Sequence, residues 1–174
     1  AYRNQGAGMK LSLVIPCYNE AQNIPFLLGR CKELTLQPDL EVILVDNGST
    51  DNTALVLEQE LPNYPGIRSV HVQKNQGYGY GILAGLRSAK GDILAWTHAD
   101  MQTCPLDALK GLALFERFGS NIFVKGLRYG RPISDVLFTI GMSCFETILL
   151  RQRLWDINAQ PTMFSRQFFE TWET

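Results

Sequence analysis

Three side chains able to bind a metal ion or a phosphate alternate along one short segment of the sequence. His98, Asp100 and Gln102 follow the apolar run 93–96, and their two-residue spacing points all three to one side of an extended backbone. A divalent cation held by one or two carboxylates commonly bridges the oxygens of a diphosphate. The segment therefore predicts a site for a metal ion and a diphosphate, with a solvated loop as the alternative.

A second polar cluster follows the first apolar run of the chain. Residues 16–20 come directly after the apolar residues 11–15 and present an aromatic ring, an amide and a carboxylate before a helical pattern begins. Such a cluster is either a ligand-facing strand end or a capped helix entry. In the second case Asn19 or Asn23 would accept hydrogen bonds from free N–H groups.

A third cluster begins where the most apolar run of the sequence ends. Asp46 follows the run 40–45, and a carboxylate there can accept hydrogen bonds from a base or a ribose hydroxyl. Gly48 permits a tight turn with positive φ, and Ser49 and Asp51 are suited to capping the next helix. Capping leaves Asp46 unexplained, because this residue precedes the turn.

Short β-rich runs alternate along the chain with segments of helical periodicity, and these elements must position the three clusters. Strands are predicted over residues 11–15, 40–45, 67–72, 93–96 and 122–124, and helices over residues 24–34, 52–61, 77–90, 105–118 and 134–153. This order predicts right-handed crossovers and an open, mainly parallel sheet with helices on both faces. Ligands of such sheets bind beyond the carboxyl ends of the strands, and all three clusters fall at such ends.

The glycines of the third predicted helix differ from a dinucleotide-binding loop. Gly77, Gly79, Gly81 and Gly85 fail the G-x-G-x-x-G spacing, and no acidic residue follows at a suitable distance. Three of them (77, 81 and 85) share one helical face, which predicts close packing of the helix against the sheet, and Gly91 is expected to close the helix. The sequence also lacks a phosphate loop ending in G-K-[S/T] and a hydrolase nucleophile elbow.

The composition excludes several classes of protein. The 174 residues are 45% hydrophobic and 19% charged, which is typical of one globular domain. A net charge of -1 argues against bulk electrostatic binding of nucleic acid. The four cysteines form no C-x-x-C pair, so we expect isolated, buried, reduced thiols. The longest apolar stretch, 136–150, contains Glu146 and is too short to cross a bilayer.

In this order, the clusters resemble the family 2 glycosyltransferases of GT-A fold, and more narrowly their dolichol-phosphate mannosyltransferase-like, polyprenyl-phosphate branch. The motifs that carry the resemblance are residues 14–20, 45–51, 75–79, 91–92, 98–102, 125–129 and 156–161. The resemblance implies an α/β nucleotide-diphospho-sugar transferase fold, with an open, mainly parallel Rossmann-like sheet flanked by helices. Residues 1–8 are polar and precede Met9, so we expect residues 1–9 to be an added or disordered N-terminus. Residues 10–174 would form a single GT-A catalytic domain, truncated at its C-terminus.

The resemblance assigns roles to individual residues on the donor side. The positions that would hold the sugar-nucleotide donor are Pro16, Tyr18, Glu20, Asp46, Asn47 and Gln160. Asn47 stands where many relatives have a second Asp. The positions that would hold a divalent metal, Mn²⁺ or Mg²⁺, and the donor diphosphate are His98, Asp100 and Gln102.

The resemblance also implies an inverting transfer of a sugar from GDP-mannose or a UDP-sugar to a polyprenyl or dolichyl phosphate. The catalytic residues would be Asp100, Arg128 and Asp156, with Arg131 close to the phosphates. A bound cation and an arginine would stabilise the charge on the leaving diphosphate. The alternatives are a family 2 transferase acting on a glycan hydroxyl, which needs a base such as Asp156, and a non-catalytic nucleotide-sugar-binding domain.

One residue departs from the metal motif of the family. His98 stands in place of the first acidic residue, and imidazole is a softer, neutral ligand that favours Mn²⁺, Co²⁺ or Zn²⁺ over Mg²⁺. We therefore expect either a preference for Mn²⁺ or a weaker dependence on metal.

The charge of the second half of the chain suits an anionic acceptor. Residues 125–166 contain six basic and three acidic residues, a net charge of +3. The predicted helix 134–153 either lies against a membrane interface or belongs to the core. We expect a nucleotide-diphospho-sugar donor, a lipid-phosphate acceptor and peripheral contact with the cytoplasmic face of a membrane. We expect no nucleic acid partner.

Overall fold

The computed structural model describes residues 10–100, 103–127 and 159–172, and in these ranges helices alternate with short strands. The strands are β1 (Leu11–Cys17), β2 (Leu40–Asp46), β3 (Ile67–His71), β4 (Ile93–Trp96), β5 (Val124–Lys125) and β6 (Thr162–Ser165). The helices are α1 (Ile24–Cys31), α2 (Thr53–Glu60), α3 (Tyr78–Ser88), α4 (Asp107–Phe118) and α5 (Arg166–Trp172). Short 3₁₀ turns cover Leu34–Leu36 and Leu61–Asn63. The predicted helix 134–153 lies outside the described residues.

The strands form one six-stranded sheet in the order β3-β2-β1-β4-β6-β5. β1 to β4 are parallel, while β6 runs antiparallel to both of its neighbours. The predicted open, mainly parallel sheet is therefore confirmed. Thr162 at the start of β6 pairs with Trp96 at the end of β4, so the chain entering β6 arrives at the carboxyl edge of the parallel strands.

β6 was not predicted from the sequence. Its four residues are all buried and show no alternation between apolar and polar positions, so periodicity gives no signal there.

The core lies on both faces of the sheet, as predicted. Alternate side chains of a strand point to opposite faces, so Leu13 packs in the cluster that contains Phe115 of α4, while Val14 packs in the cluster that contains Ile82 of α3. Helices therefore cover both faces, and the carboxyl edge of the sheet is left for polar side chains. Among the described residues, no helix has the length and hydropathy needed to span a membrane.

Two of the three glycines expected to pack against the sheet do so. A Cβ on Gly85 would overlap the side chains of Val14 and Val45, and a Cβ on Gly81 would lie 2.8 Å from Cγ of Asn47. The prediction is wrong for Gly77, where a Cβ would meet no atom within 4 Å. Gly77 is instead the residue before α3, with a φ of 101° that a glycine adopts readily.

The predicted role of Gly91 as a helix cap is also wrong. The C-cap residue that follows α3 is Ala89, which has an extended conformation. Gly91 is not among the residues with positive φ. Gly91 instead lies against β1, where a Cβ would come within 2.7 Å of the backbone nitrogen of Ser12. A close approach of two backbones therefore requires this glycine.

The cysteines follow the prediction in part. Cys17, Cys31 and Cys104 are free thiols, and the first two are buried. Burial, followed by the charge of Glu20, raises the pKa of Cys17 far above its ordinary value, so this thiol is chemically inert near neutral pH. Cys104 is exposed, contrary to the expectation of buried thiols, because it lies in the loop between β4 and α4.

Candidate active site

The carboxyl ends of the parallel strands lie side by side and bring the three predicted clusters together. In the register of the sheet, Cys17 pairs with Asp46, and Asp46 pairs with His71. Trp96 at the end of β4 pairs with Val14, so the segment that follows β4 continues alongside the end of β1. Residues 16–20, 46–51 and 97–100 therefore share one edge of the sheet.

Asn19 joins the loops that follow β1 and β2. It has a φ of 58°, in the left-handed region that asparagine tolerates better than most residues. Its Oδ1 accepts hydrogen bonds from the backbone nitrogens of Thr50 at 2.8 Å and Asp51 at 3.3 Å, and its own nitrogen donates to Oγ of Ser49 at 3.0 Å. Asn19 thus fixes the path of the chain beside Tyr18, a residue that is 45% exposed.

The capping predictions are corrected in this region. Neither Asn19 nor Asn23 caps α1, because Asn19 accepts from the other loop and Nδ2 of Asn23 donates to Oε2 of Glu20 at 2.6 Å. Asp51 does support the start of α2, since its Oδ1 accepts from the nitrogen of Thr53 at 2.9 Å. Ser49 does not, because its hydroxyl accepts from Asn19.

Asp46, which is buried, pairs with the exposed side chain of His71, a residue that the sequence did not single out. Asp46 is 2% exposed; its Oδ1 accepts from the nitrogen of Ser49 at 3.0 Å, and its Oδ2 lies 2.9 Å from Nδ1 of His71. The side chain of His71 is 58% exposed. The carboxylate therefore orients an imidazole at the edge of the sheet. The sequence placed His71 inside the predicted strand 67–72 and gave no signal that it would meet Asp46; the register of β2 and β3 brings the two together.

Asp46→Ala is expected to lower the free energy of unfolding by about 1–3 kcal/mol, because the half-buried N–H of Ser49 loses its acceptor and the His71 imidazole loses its partner. Urea denaturation measures the change. His71→Ala, which removes only the exposed partner, is expected to cost less. Equal losses for the two variants would contradict the view that the buried carboxylate organises the turn.

Asn47 packs beneath the first turn of α3. Its Nδ2 donates to the carbonyl oxygen of Gly77 at 3.1 Å, while within the described part of the chain its buried Oδ1 has no hydrogen-bond partner. This residue ties β2 to α3. Pro16 lies buried within β1, opposite Val45, and Glu20 is half-buried. Contact of these residues with a donor nucleotide stays a prediction.

His98 is held by the first residue of α3. The hydroxyl of Tyr78 lies 2.9 Å from Nδ1 of His98, and the two rings stack with centroids 5.2 Å apart and planes 16° from parallel. Burial, followed by the charge of Asp100, raises the pKa of Tyr78, so the phenol stays protonated near neutral pH. The carboxylate of Asp100 is exposed at the end of the same loop. Gln102 lies outside the described residues.

The described side chains at this edge could hold a divalent ion in only one way. Among residues 10–100, 103–127 and 159–172, no group of three His, Cys, Asp or Glu side chains is placed to hold a metal ion. Mg²⁺, however, usually binds through one or two carboxylates together with substrate phosphates. Asp100, exposed at the carboxyl edge, fits that arrangement.

Gln160 lies at the same edge, on the far side of β4. It directly precedes Pro161, whose carbonyl oxygen accepts from the nitrogen of Gly126 at 2.8 Å. A Cβ on Gly126 would overlap the carbonyl group of Gln160, so the chain entering β6 packs tightly against the end of β5. Oε1 of Gln160 is buried and, in the described ranges, has no hydrogen-bond partner. Arg128, Arg131 and Asp156 lie outside these ranges.

Comparison with known proteins agrees with this arrangement. The Proteus mirabilis protein named undecaprenyl-phosphate 4-deoxy-4-formamido-L-arabinose transferase is 41% identical over 102 residues, which are 55% of this chain and 30% of that protein. The Pseudomonas savastanoi pv. phaseolicola protein of the same name is 38% identical over 113 residues, 62% of this chain and 33% of that protein. The chain thus spans about a third of these relatives.

Solved structures share the fold. A mannosyltransferase from Pyrobaculum calidifontis, in complex with GDP-Man and Mn²⁺, superposes with a TM-score of 0.70 at 22% identity, over 96% of this chain and 47% of that one. The predicted GT-A fold is therefore confirmed. The sequence model described as "Glycosyl transferase family 2" matches residues 12–168. The chain belongs to glycosyl transferase family 2.

Proposed function

We propose that the protein is an inverting glycosyltransferase that moves a sugar from a nucleotide-diphospho-sugar to a polyprenyl phosphate. One observation carries the proposal: a single sheet edge holds a buried carboxylate with its histidine, an exposed carboxylate after β4, and Gln160 before β6. The names of the curated relatives support a polyprenyl-phosphate acceptor.

The donor nucleotide would bind beyond β1, β2 and β3. Tyr18 supplies an exposed ring there, and His71 supplies an exposed imidazole. The hydrogen bonds of Asn19 fix the backbone next to Tyr18, and Asp46 orients the imidazole of His71. An aromatic ring can stack on a base, and an oriented imidazole can accept from or donate to its edge.

The donor diphosphate would lie beyond β4. A divalent ion, Mn²⁺ or Mg²⁺, held by Asp100 would neutralise negative charge on the diphosphate when bound. Arg128 would stand near the same phosphates. Gln160, on the next strand of the sheet, would contact the sugar or the acceptor. Asp156 would belong to the acceptor side as well.

The transfer is one displacement at the anomeric carbon. An oxygen of the acceptor phosphate forms a bond to that carbon while the bond to the nucleoside diphosphate breaks, and the electron pair leaves with the diphosphate. The acceptor is already ionised near neutral pH, so no strong base is required. Attack from the face opposite the leaving group inverts the configuration.

Transfer to a short-chain polyprenyl phosphate tests the proposal, with the matching polyprenol and a glycan as alternative acceptors. We expect labelled sugar on the polyprenyl phosphate alone, with inverted configuration by NMR. Transfer to the glycan would favour a hydroxyl acceptor. Donor binding without transfer to any acceptor would indicate a binding domain.

The donor is identified by thermal shift with GDP-, UDP- and dTDP-sugars in the presence of Mn²⁺ or Mg²⁺. A ligand at about 100 times its Kd adds roughly 2.7 kcal/mol to stability, which for a domain of this size is a rise of about 5–10 °C in Tm. We expect one nucleotide to give this rise. No rise with any nucleotide-sugar would contradict donor binding.

The proposal places the reaction at the cytoplasmic face of a membrane, where a lipid phosphate resides. The net charge of +3 over residues 125–166 would favour an anionic lipid surface. Sedimentation with vesicles that contain anionic lipid is expected to retain the protein at low salt and release it at high salt. Equal binding to neutral vesicles would argue against this attraction.

A further inference from the structure

The ring of His98 is fixed by two elements of the fold. His98 follows β4, and Tyr78 opens α3, so the two residues meet only because α3 begins beside the end of β4. The 2.9 Å hydrogen bond at Nδ1 and the stacked rings hold both the position and the plane of the imidazole. Tyr78 as a whole residue is 44% exposed.

The direction of this hydrogen bond determines what the rest of the ring can do. A phenol is protonated near neutral pH, and an imidazole nitrogen is a far better acceptor than a phenol oxygen. Tyr78 therefore donates to Nδ1, and the single proton of the neutral ring lies on Nε2. In this tautomer one nitrogen has its lone pair in a hydrogen bond and the other carries hydrogen, so neither is available to a metal ion.

We propose that His98 is a hydrogen-bond donor to the diphosphate of the sugar donor, through Nε2–H, and that Tyr78 is the positioning residue that holds it in this form. The identity of the anion rests on the proposed function. A fixed N–H aimed at an oxygen on which charge develops stabilises the leaving group. The metal ion would then be held by Asp100 and phosphate oxygens, without an imidazole ligand.

The two possible roles of His98, metal ligand and hydrogen-bond donor, differ in the metal dependence that they predict. An imidazole ligand would favour Mn²⁺ over Mg²⁺, whereas an imidazole donor gives no such preference. An imidazole that donates a hydrogen bond would instead weaken the dependence of sugar transfer on the metal ion, because part of the charge stabilisation then comes from the protein.

The tautomer is measured on the protein without ligand. Long-range ¹H–¹⁵N correlation spectra of [¹⁵N]histidine-labelled protein at about pH 8, where ordinary imidazoles are neutral, distinguish protonated from unprotonated ring nitrogens. A His71→Gln variant assigns the signals, because the chain contains two histidines. We expect the His98 proton on Nε2. A proton on Nδ1, or an equal mixture of the two forms, would overturn the proposal.

Tyr78→Phe tests the positioning role, with Tyr80→Phe on the same helix as the matched control. Loss of the hydroxyl is expected to release His98 into a mixture of tautomers, while the His71 signals and the Tm remain those of the wild type. The control variant is expected to leave both histidines unchanged. A His98 tautomer that is the same in Tyr78→Phe as in wild type would contradict a role for Tyr78.

The metal environment is tested with Mn²⁺ and inorganic pyrophosphate as the probe. Electron spin-echo envelope modulation spectra of the bound ion are compared between unlabelled and [¹⁵N]histidine-labelled protein. Identical spectra are expected, and a difference would show an imidazole on the metal and overturn the proposal. These measurements require no turnover, so they can fail or succeed independently of the transfer assay.

The last test asks whether another side chain that donates a hydrogen bond can replace His98. His98→Ala is expected to lower kcat for transfer about 10- to 100-fold with little change in KM, as for an interaction that strengthens in the transition state. His98→Gln retains an N–H near the position of Nε2–H and is expected to recover much of this loss. Equal losses in the two variants would contradict a donor role.

Discussion

Asp100→Asn is expected to lower kcat for sugar transfer about 100- to 1,000-fold, the range typical of removing one electrostatic contact to a leaving oxygen. Asparagine preserves the shape of the side chain and removes its charge, so a cation facing the diphosphate would lose its carboxylate ligand. The side chain is exposed, and we therefore expect the Tm to change by no more than about 1 °C. Steady-state transfer to a polyprenyl phosphate and a thermal melt measure the two quantities.

Asp107→Asn is the matched control for this prediction. Asp107 opens α4, and its carboxylate lies 2.8 Å from Nζ of Lys110 within the same helix, so its charge already has a partner. We expect wild-type transfer from this variant. If Asp100→Asn also transferred sugar at the wild-type rate, the assignment of Asp100 to the diphosphate site would be wrong.

Gly48→Ala is expected to lower the free energy of unfolding by about 2–4 kcal/mol, from a strained φ and from overpacking. Gly48 has a φ of 70° in the turn after β2. A Cβ there would overlap the backbone nitrogen of Asn75 and lie 2.7 Å from the carbonyl carbon of Lys74. Because these neighbours are backbone atoms, relief requires a shift of the loop after β3. Urea denaturation measures the loss.

Gly29→Ala provides the opposite expectation in the same protein. Gly29 lies within α1, where a Cβ would meet no atom within 4 Å, so alanine is expected to raise stability by roughly 0.4–1 kcal/mol. Wild-type stability in Gly48→Ala would contradict the close approach of the two loops. Donor affinity is expected to fall in Gly48→Ala and to remain unchanged in Gly29→Ala, because only the first change moves the loops around Asp46 and His71.

The sequence allowed the edge of the site to be predicted because its signals are local. The apolar run 40–45 indicates a strand buried on both faces, and the polar residue after it marks where that strand leaves the core. Strands that alternate with helices form parallel sheets with right-handed crossovers. The convergence of residues 16–20, 46–51 and 97–100 at one edge follows from these rules, and the structure confirms it.

The pairs that shape the site could not be predicted, because their partners are distant in sequence. Asp46 meets His71 through the register of β2 and β3, and Tyr78 meets His98 because α3 begins beside the end of β4. The sequence carried no periodic signal for either pair. Asn19, one of two candidates for capping its own helix, instead bonds to a loop about thirty residues away.

The amino-acid sequence by itself thus determined the fold class, the order of the parallel strands along the chain and the edge at which the three polar clusters converge, since hydrophobic periodicity is a local signal and crossovers have a fixed hand. Only the tertiary structure decided which side chains at that edge are buried supports and which are exposed. A hydrogen bond requires its two atoms to lie within about 3 Å, and the pairing of strands and the seating of helices set that distance. Asp46 is therefore a buried support and His71 the exposed group, although the sequence favoured the carboxylate.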